Sequence, residues 1–240
     1  MVAVLGSGGH TAEMMSLLRD IDPTKYTHRT YIVSSGDKLS AKRAFNIETT
    51  IQSKYKQAGI SNEDEVDPVT GKWDVKVVPR AREIHQRLYK TPRSLLSCLI
   101  SCIATLCGLS RTSIAAPFEY PDVIITNGPA TAVMVILASV LLKLSGLAPL
   151  YKMKIIYAES WARVKTLSLS GELLLWMGVC DVFLVQWEEL LKTINGSTST
   201  GRLMLKFGVP GVLVMAWEKL AKLAGNTAKP KAKWIGFLVE

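Results

Sequence analysis

Val2-Ala-Val-Leu-Gly-Ser-Gly-Gly-His10-Thr-Ala-Glu-Met-Met-Ser-Leu-Leu-Arg19 is the stretch on which the fold turns. Residues 2–5 are apolar and short, the pattern of a buried strand. Gly6 to Thr11 is a glycine-rich loop. From Thr11 to Arg19, Met14, Met15 and Leu18 recur at helical spacing, and Pro23 blocks further helix. A strand, a glycine loop and a helix make the opening of a parallel α/β unit, and the same alternation continues through the chain.

Strands are expected at Arg29–Val33, Asp74–Val78, Asp122–Thr126, Lys154–Tyr157 and Asp181–Val185. Between them, helices are expected over 37–58, Ser94–Ser110, Ala130–Leu144 and Gly171–Cys180. Residues 61–72 are a polar, acidic loop, and 194–210 are loop-like. Val212–Leu223 is an amphipathic helix with Lys219 and Lys222 on its polar side, and a linker carrying Lys229, Lys231 and Lys233 leads to a terminal WIGFLV. Apolar strands alternating with helices predict a doubly wound, mostly parallel sheet covered on both faces. In such folds ligands sit at the carboxyl ends of the strands, which singles out loops 6–11, 127–130 and 158–163.

With 240 residues, 48% of them apolar, the chain supports one large α/β domain rather than a disordered polymer or two complete domains. Lys plus Arg is 29 and Asp plus Glu is 20, a net charge of +9, which favours phosphates or an anionic membrane surface. The charge is not interleaved with aromatics or Gly/Arg repeats, so nucleic acid is the weaker reading. Cys98, Cys102, Cys107 and Cys180 form no C-x-x-C. They read as buried free thiols in a reducing compartment. No secretory signal is readable ahead of the glycine loop.

The glycine loop can cradle a phosphate, because glycines let backbone N–H groups approach an anion and the helix behind them adds partial positive charge. No Gly-Lys-Ser/Thr follows, which excludes a nucleoside-triphosphate loop. Thr11 stands where a dinucleotide fingerprint takes Gly or Ala. A plain turn requiring positive φ is the structural alternative. His10 opens the helix, where an imidazole can exchange a proton beside a bound phosphate. His28 and His85 read as surface residues. Asp20-Ile-Asp22 ends a helix before Pro23 and reads as a poor metal site. Glu159 and Arg163 are either a helix-start i,i+4 pair or a polar cluster at a strand's carboxyl end. Ser94–Ser110 carries no charge and is flanked by Arg93 and Arg111. The preceding stretch is basic through Lys76, Arg80, Arg82, Arg87, Lys90 and Arg93. The run is either a buried helix or one lying in a membrane interface against anionic lipid.

The ordered combination of Gly6-Ser-Gly-Gly-His-Thr-Ala-Glu-Met14, Pro79-Arg-Ala-Arg-Glu83, Thr126-Asn-Gly-Pro-Ala-Thr131, Glu159-Ser-Trp-Ala-Arg-Val-Lys-Thr-Leu-Ser-Leu-Ser-Gly171 and Val185-Gln-Trp187 resembles the family of asparagine-linked glycosylation protein 14. The likeness resumes at Trp234-Ile-Gly-Phe-Leu-Val239. That family is the membrane-anchoring subunit of the UDP-N-acetylglucosamine transferase of dolichol-linked oligosaccharide synthesis. The resemblance implies a Rossmann-like domain over 1–240, like the amino-terminal half of a GT-B glycosyltransferase. The donor-binding half is then a separate small polypeptide of the asparagine-linked glycosylation protein 13 type. The pair would add the second N-acetylglucosamine to N-acetylglucosaminyl-diphosphodolichol at the cytosolic face of the endoplasmic reticulum, by inverting transfer. This chain would not be active alone. Length agrees, since residues 188–240 are too few for a second doubly wound domain. Members usually carry an amino-terminal spanning helix before the glycine strand, and residues 190–232 are longer than expected, so Val212–Leu223 reads as an insertion.

On this reading His10 is the first candidate base, with Glu159 second. A free imidazole, with pKa near 6.5, is mostly neutral at cytosolic pH. Gly6, Ser7, Gly8, Gly9 and Thr11 would hold a diphosphate, and Asn127, Gly128, Pro129, Ser160 and Arg163 would line the same crevice. Trp234, Ile235, Gly236, Phe237, Leu238 and Val239 would contact the partner. Arg87, Lys90 and Arg93, together with Leu95, Leu96, Leu99, Ile100 and Ile103 of the apolar helix 94–110, would face the membrane. No metal or protein-bound cofactor is expected, UDP-N-acetylglucosamine being held mainly by the partner. Two rivals are a non-catalytic membrane scaffold whose glycine loop is only structural, and a nicotinamide-dependent oxidoreductase, against which Thr11 argues.

Overall fold

The computed structural model describes residues 1–57, 71–82, 91–108, 119–128, 130–196 and 232–234. Seven strands form one all-parallel sheet: β1 (Val2–Leu5), β2 (His28–Ser34), β3 (Lys72–Val78), β4 (Val123–Asn127), β5 (Lys154–Ala158), β6 (Val182–Val185) and β7 (Ala232–Trp234). Their spatial order is β3-β2-β1-β4-β5-β6-β7. The helices are α1 (Gly9–Leu18), α2 (Lys38–Gln57), α3 (Thr91–Leu106), α4 (Ala130–Leu144), α5 (Leu169–Met177) and α6 (Glu188–Gly196).

The strands alternate with period two, and each face has its own core. Ala3, Leu5, Tyr31 and Val33 pack under α1 and α2 with Met14, Leu18, Ala44, Ile47 and Ile51. Val2, Val4, Ile32, Ile124, Ile155, Tyr157 and Phe183 pack on the opposite face. There they meet Cys98, Cys102 and Leu106 of α3, the largely buried α4, and Leu174 and Leu190 from α5 and α6. Strands added to the left of β1 carry helices on one face and those to the right on the other, as right-handed crossovers require. The order therefore reverses between β1 and β4, and the carboxyl ends of these strands are where such folds bind ligands.

One ion pair is sealed into the α1/α2 core. Arg29 and Glu48 are each at most 1% exposed and pair in a bidentate manner, Nε to Oε1 at 2.7 Å and Nη2 to Oε2 at 2.6 Å. The Tyr31 hydroxyl donates to the same carboxylate at 2.6 Å, and Arg29 also donates to the Tyr26 carbonyl. Each side-chain nitrogen and oxygen of the pair thus has a partner, which a buried ion pair needs.

Several boundaries differ from the sequence reading. Helix α5 begins at Leu169, because the Ser168 hydroxyl caps it by accepting from the Gly171 N–H. It ends at Gly178, which takes the left-handed conformation with φ 63°, short of Cys180. The start of the 194–210 segment is helical, since α6 runs to Gly196. Lys233 and Trp234, expected in a tail, lie in β7, paired with Leu184 and Val185. The apolar helix spans Thr91–Leu106 and has two characters. Cys98, Cys102 and Leu106 face the core, whereas Leu96 and Ile100 are exposed. Among the described residues no helix is long and apolar enough to cross a membrane. Cys98, Cys102 and Cys180 are buried free thiols and Cys107 is a half-buried one. Arg111, the loop 61–70 and Val212–Leu223 lie outside the described residues.

Candidate functional site

The glycine loop, the β4 loop and the β5 loop meet at the point where the sheet order reverses. Gly8 has φ 64° and ψ −120°, a conformation open to glycine, and forms the cap of α1 without any side-chain capping hydrogen bond. No side-chain cap therefore occupies the first N–H groups of α1. Ser7, Gly8 and Gly9 are exposed and Gly6 is buried. The exposed guanidinium of Arg43 donates to the Gly8 carbonyl at 3.0 Å, bringing a cation from α2 to the rim. Arg80 donates to the Ser35 carbonyl on the neighbouring β2 loop.

Thr11 does not face this cradle. It is fully buried, its hydroxyl donates to the Gly6 carbonyl, and it lies 2.7 Å from the Ser40 hydroxyl. Ser40 donates to Asp37 at 2.7 Å, and the same hydroxyl lies 3.1 Å from the Gly6 carbonyl. Thr11 thus shapes the loop from behind, a role that its place in the motif hides.

His10 stands at the mouth with about a third of its side chain exposed. Its ring lies against Gly128, whose φ is 75°. A Cβ built at that glycine would sit 2.7 Å from Cγ and Nδ1 of the imidazole. The Asn127 amide donates to the His10 carbonyl at 2.7 Å and to the Glu13 carboxylate at 3.3 Å. Glu13, one turn after His10 on α1, is 3% exposed. It accepts from the Ser160 hydroxyl at 2.7 Å, and its Oε2 lies 3.6 Å from His10 Nδ1. Burial pushes the Glu13 carboxyl up, but the His10 imidazole, the Ser160 hydroxyl and the Trp161 backbone N–H outweigh it and hold the group below its usual range.

Glu159 is 1% exposed. One carboxylate oxygen accepts from the Ser160 N–H at 3.0 Å and the other from the N–H and hydroxyl of Ser168, at 3.1 and 3.0 Å. Gly171 packs so closely on this carboxylate that no Cβ would fit. Burial is the dominant influence and pushes the Glu159 carboxyl up, against the pull of the Ser168 and Ser160 donors. These commitments make Glu159 a brace for the β5 loop. Residues 159–163 form a turn closed by the Arg163 N–H on the Ser160 carbonyl rather than a helix start, and Arg163 is exposed.

At the right-hand edge of the sheet, Trp187 donates to the Trp161 carbonyl at 2.6 Å and Trp234 to the Gln186 carbonyl at 3.1 Å. Trp161 and Trp234 are each 50% exposed. Elsewhere, Asp20 pairs with Lys54 and Asp22 accepts from Thr24 and Tyr55, so the D-x-D carboxylates serve local structure. His28 is exposed, near Asp74. Among the described residues no group of three His, Cys, Asp or Glu is placed to hold a metal. Leu95, Leu99 and Ile103 are half-buried and Arg93 is exposed. Pro129, His85, Arg87, Lys90, Ile235, Gly236, Phe237, Leu238 and Val239 lie outside the described residues. Sequence reasoning missed Glu13. Its only signal was an i,i+3 spacing from His10, and its other partners come from loops more than a hundred residues away.

A family model described as "Oligosaccharide biosynthesis protein Alg14 like" matches residues 1–203. A protein named UDP-N-acetylglucosamine transferase subunit alg14 from Aspergillus fumigatus is 39% identical over 214 residues, covering 74% of this chain and 91% of the relative. The Schizosaccharomyces pombe protein of that name is 36% identical over 190 residues, 79% and 76% of the two chains. The Rattus norvegicus protein is 32% identical over 190 residues, again 79% and 76%. No solved structure matches the chain.

Proposed function

Because this chain belongs to the Alg14 family of oligosaccharide biosynthesis proteins, we propose that it is the acceptor-side half of a split UDP-N-acetylglucosamine transferase of N-glycosylation. In this reading it holds N-acetylglucosaminyl-diphosphodolichol at the cytosolic face of the endoplasmic reticulum. A separate subunit of the asparagine-linked glycosylation protein 13 type brings UDP-N-acetylglucosamine and closes the cleft. The observation that supports it most is the uncapped amino-terminus of α1 behind the exposed Ser7–Gly9, beside His10, at the β1/β4 reversal.

Each part of the chemistry follows from a feature of that crevice. The N–H groups at the start of α1 bind diphosphate through aligned dipoles and partial positive charge, with Arg43 at the rim adding a full charge. Gly128 and Asn127 fix the His10 ring and backbone. Since His10 Nδ1 is buried while the side chain keeps a third of its exposure, the accessible edge of the ring carries Nε2. Nε2 takes the proton from the acceptor sugar's 4-hydroxyl as that oxygen forms its bond to C1 of the donor. The C1–O bond to the diphosphate breaks, and UDP leaves with the electron pair. A base placed this way contributes roughly a hundred- to ten-thousand-fold.

The exposed Leu96 and Ile100 of α3, with Arg93 on the same helix, support an interfacial docking face, with apolar side chains entering the headgroup boundary and a cation meeting anionic lipid. The exposed Trp234 at the end of β7 supports partner binding at that edge.

The test is acceptor binding by this chain alone. A water-soluble short-chain polyprenyl-diphospho-N-acetylglucosamine should shift the backbone amide resonances of Ser7 to His10, and UDP-N-acetylglucosamine should not. If the acceptor analogue leaves those amides unmoved, the cradle is only a turn.

A further inference from the structure

We propose that Glu13 is the positioning residue for His10: a buried carboxylate facing Nδ1 that keeps the proton on that nitrogen and the lone pair on Nε2. This rests on the reading of His10 as the base and assigns how that base is set.

Burying a carboxylate is costly unless it is paired and hydrogen-bonded. Glu13 is buried, and the groups it meets come from three separate elements. Asn127 donates from the end of β4, Ser160 from the β5 loop, and His10 faces it from its own helix. An i,i+3 spacing puts His10 and Glu13 on one face of α1. Nδ1 of His10 is buried and makes no hydrogen bond of ordinary length. The acceptor it faces is Glu13 Oε2 at 3.6 Å, longer than a hydrogen bond and close enough to tighten when substrate packs the cleft. The ring cannot retreat, because Gly128 lies under it. A neutral imidazole carries one N–H and one lone pair. With the N–H directed at a carboxylate, the lone pair lies on the exposed edge. When Nε2 accepts the acceptor's hydroxyl proton, the resulting imidazolium lies beside a fixed negative charge. Base, ring and orienting carboxylate follow the logic of hydrolase triads from residues spaced on a single helix turn.

A bracket tying α1 to two loops would also use Glu13, so the test separates bracing from positioning. In the two-subunit enzyme, Glu13→Gln keeps shape and volume. It should lower kcat by at least about tenfold, with KM for acceptor and subunit affinity within about threefold of wild type. The decisive comparison is the double variant. If Glu13 works through His10, adding Glu13→Gln to His10→Ala costs no further activity. A further tenfold loss in the double variant, or a Glu13→Gln enzyme within twofold of wild-type kcat, overturns the proposal. Near-normal turnover by His10→Ala alone would instead overturn the reading of His10 as base. Should Glu13→Gln fail to fold, side-chain nitrogen NMR of His10 in the wild-type protein at neutral pH gives an independent answer. Protonation on Nδ1 is expected, and a tautomer protonated on Nε2 rules the proposal out.

Discussion

Gly128→Ala tests the geometry of the crevice with one added methyl group. Gly128 has φ 75°, where an L-residue is disfavoured by about 1–2 kcal/mol. The new Cβ would sit 2.7 Å from Cγ and Nδ1 of His10. Carbon contacts settle at about 3.5–4.0 Å, so the ring must move by roughly 1 Å. A displacement of that size at a reacting group costs about a hundredfold in rate. Gly146 is the control. Its φ is 74°, yet nothing lies within 4 Å of its added Cβ, and it sits past the carboxyl end of α4, the opposite end of that helix from the β4 loop. Both variants should lose a similar 1–2 kcal/mol of backbone energy, lowering Tm by roughly 2–8 °C in a domain of this size. In a transfer assay of the reconstituted pair, only Gly128→Ala should fall by about a hundredfold. If it stays within threefold of wild type, or if Gly146→Ala loses as much, the account of His10 held against the β4 loop is wrong.

Other outcomes follow from the same structure. Glu48→Gln leaves Arg29 buried with no counter-charge and should destabilise the chain by about 3–5 kcal/mol in denaturant titration. An effect under 1 kcal/mol would mean that Arg29 finds water. Lys143, buried at the end of α4, donates to the Met153 carbonyl at 3.0 Å, and burial holds its ammonium below the usual lysine value, with Asp181 pulling the other way. A lysine whose folded pKa lies below the unfolded value binds its proton less well when folded, so it weakens folding at neutral pH. That penalty disappears as pH rises through the folded pKa towards about 10.4. Wild-type stability relative to Lys143→Met should therefore improve over that range, and a flat difference would refute the burial. Trp234→Ala should change stability little, since half the side chain is exposed, but weaken binding of the donor subunit by at least about tenfold in calorimetry, as a buried aromatic anchor would. Leu96→Asp with Ile100→Asp should reduce sedimentation with anionic vesicles several-fold, and unchanged sedimentation would place the docking face elsewhere.

Much of this was legible because it is local. The run from Val2 to Leu18 declares its strand, loop and helix through composition and spacing, and the apolar β4, β5 and α4 announce themselves in the same way. The ends of α5 carry their own signals, Ser168 as a cap and Gly178 as a stop, although the expected helix ran from Gly171 to Cys180. What escaped depends on distance. Three residues of β7 in a lysine-rich stretch carry no strand pattern of their own and are ordered by pairing with β6. Thr11 looks like a loop residue until Ser40 and Gly6 are seen to share its hydroxyl. Glu13 and Glu159 look alike as acids near a motif. Only the folded chain shows that one faces an imidazole and the other braces two serines.

The most direct measurement is transfer of radiolabelled N-acetylglucosamine from UDP-N-acetylglucosamine to a diphospho-lipid N-acetylglucosamine, with this chain alone, the donor subunit alone, and the two together. Activity only in the mixture, lost with His10→Ala while the two subunits still associate, is the predicted result. Transfer by this chain alone, or full transfer by the mixture carrying His10→Ala, would contradict the account.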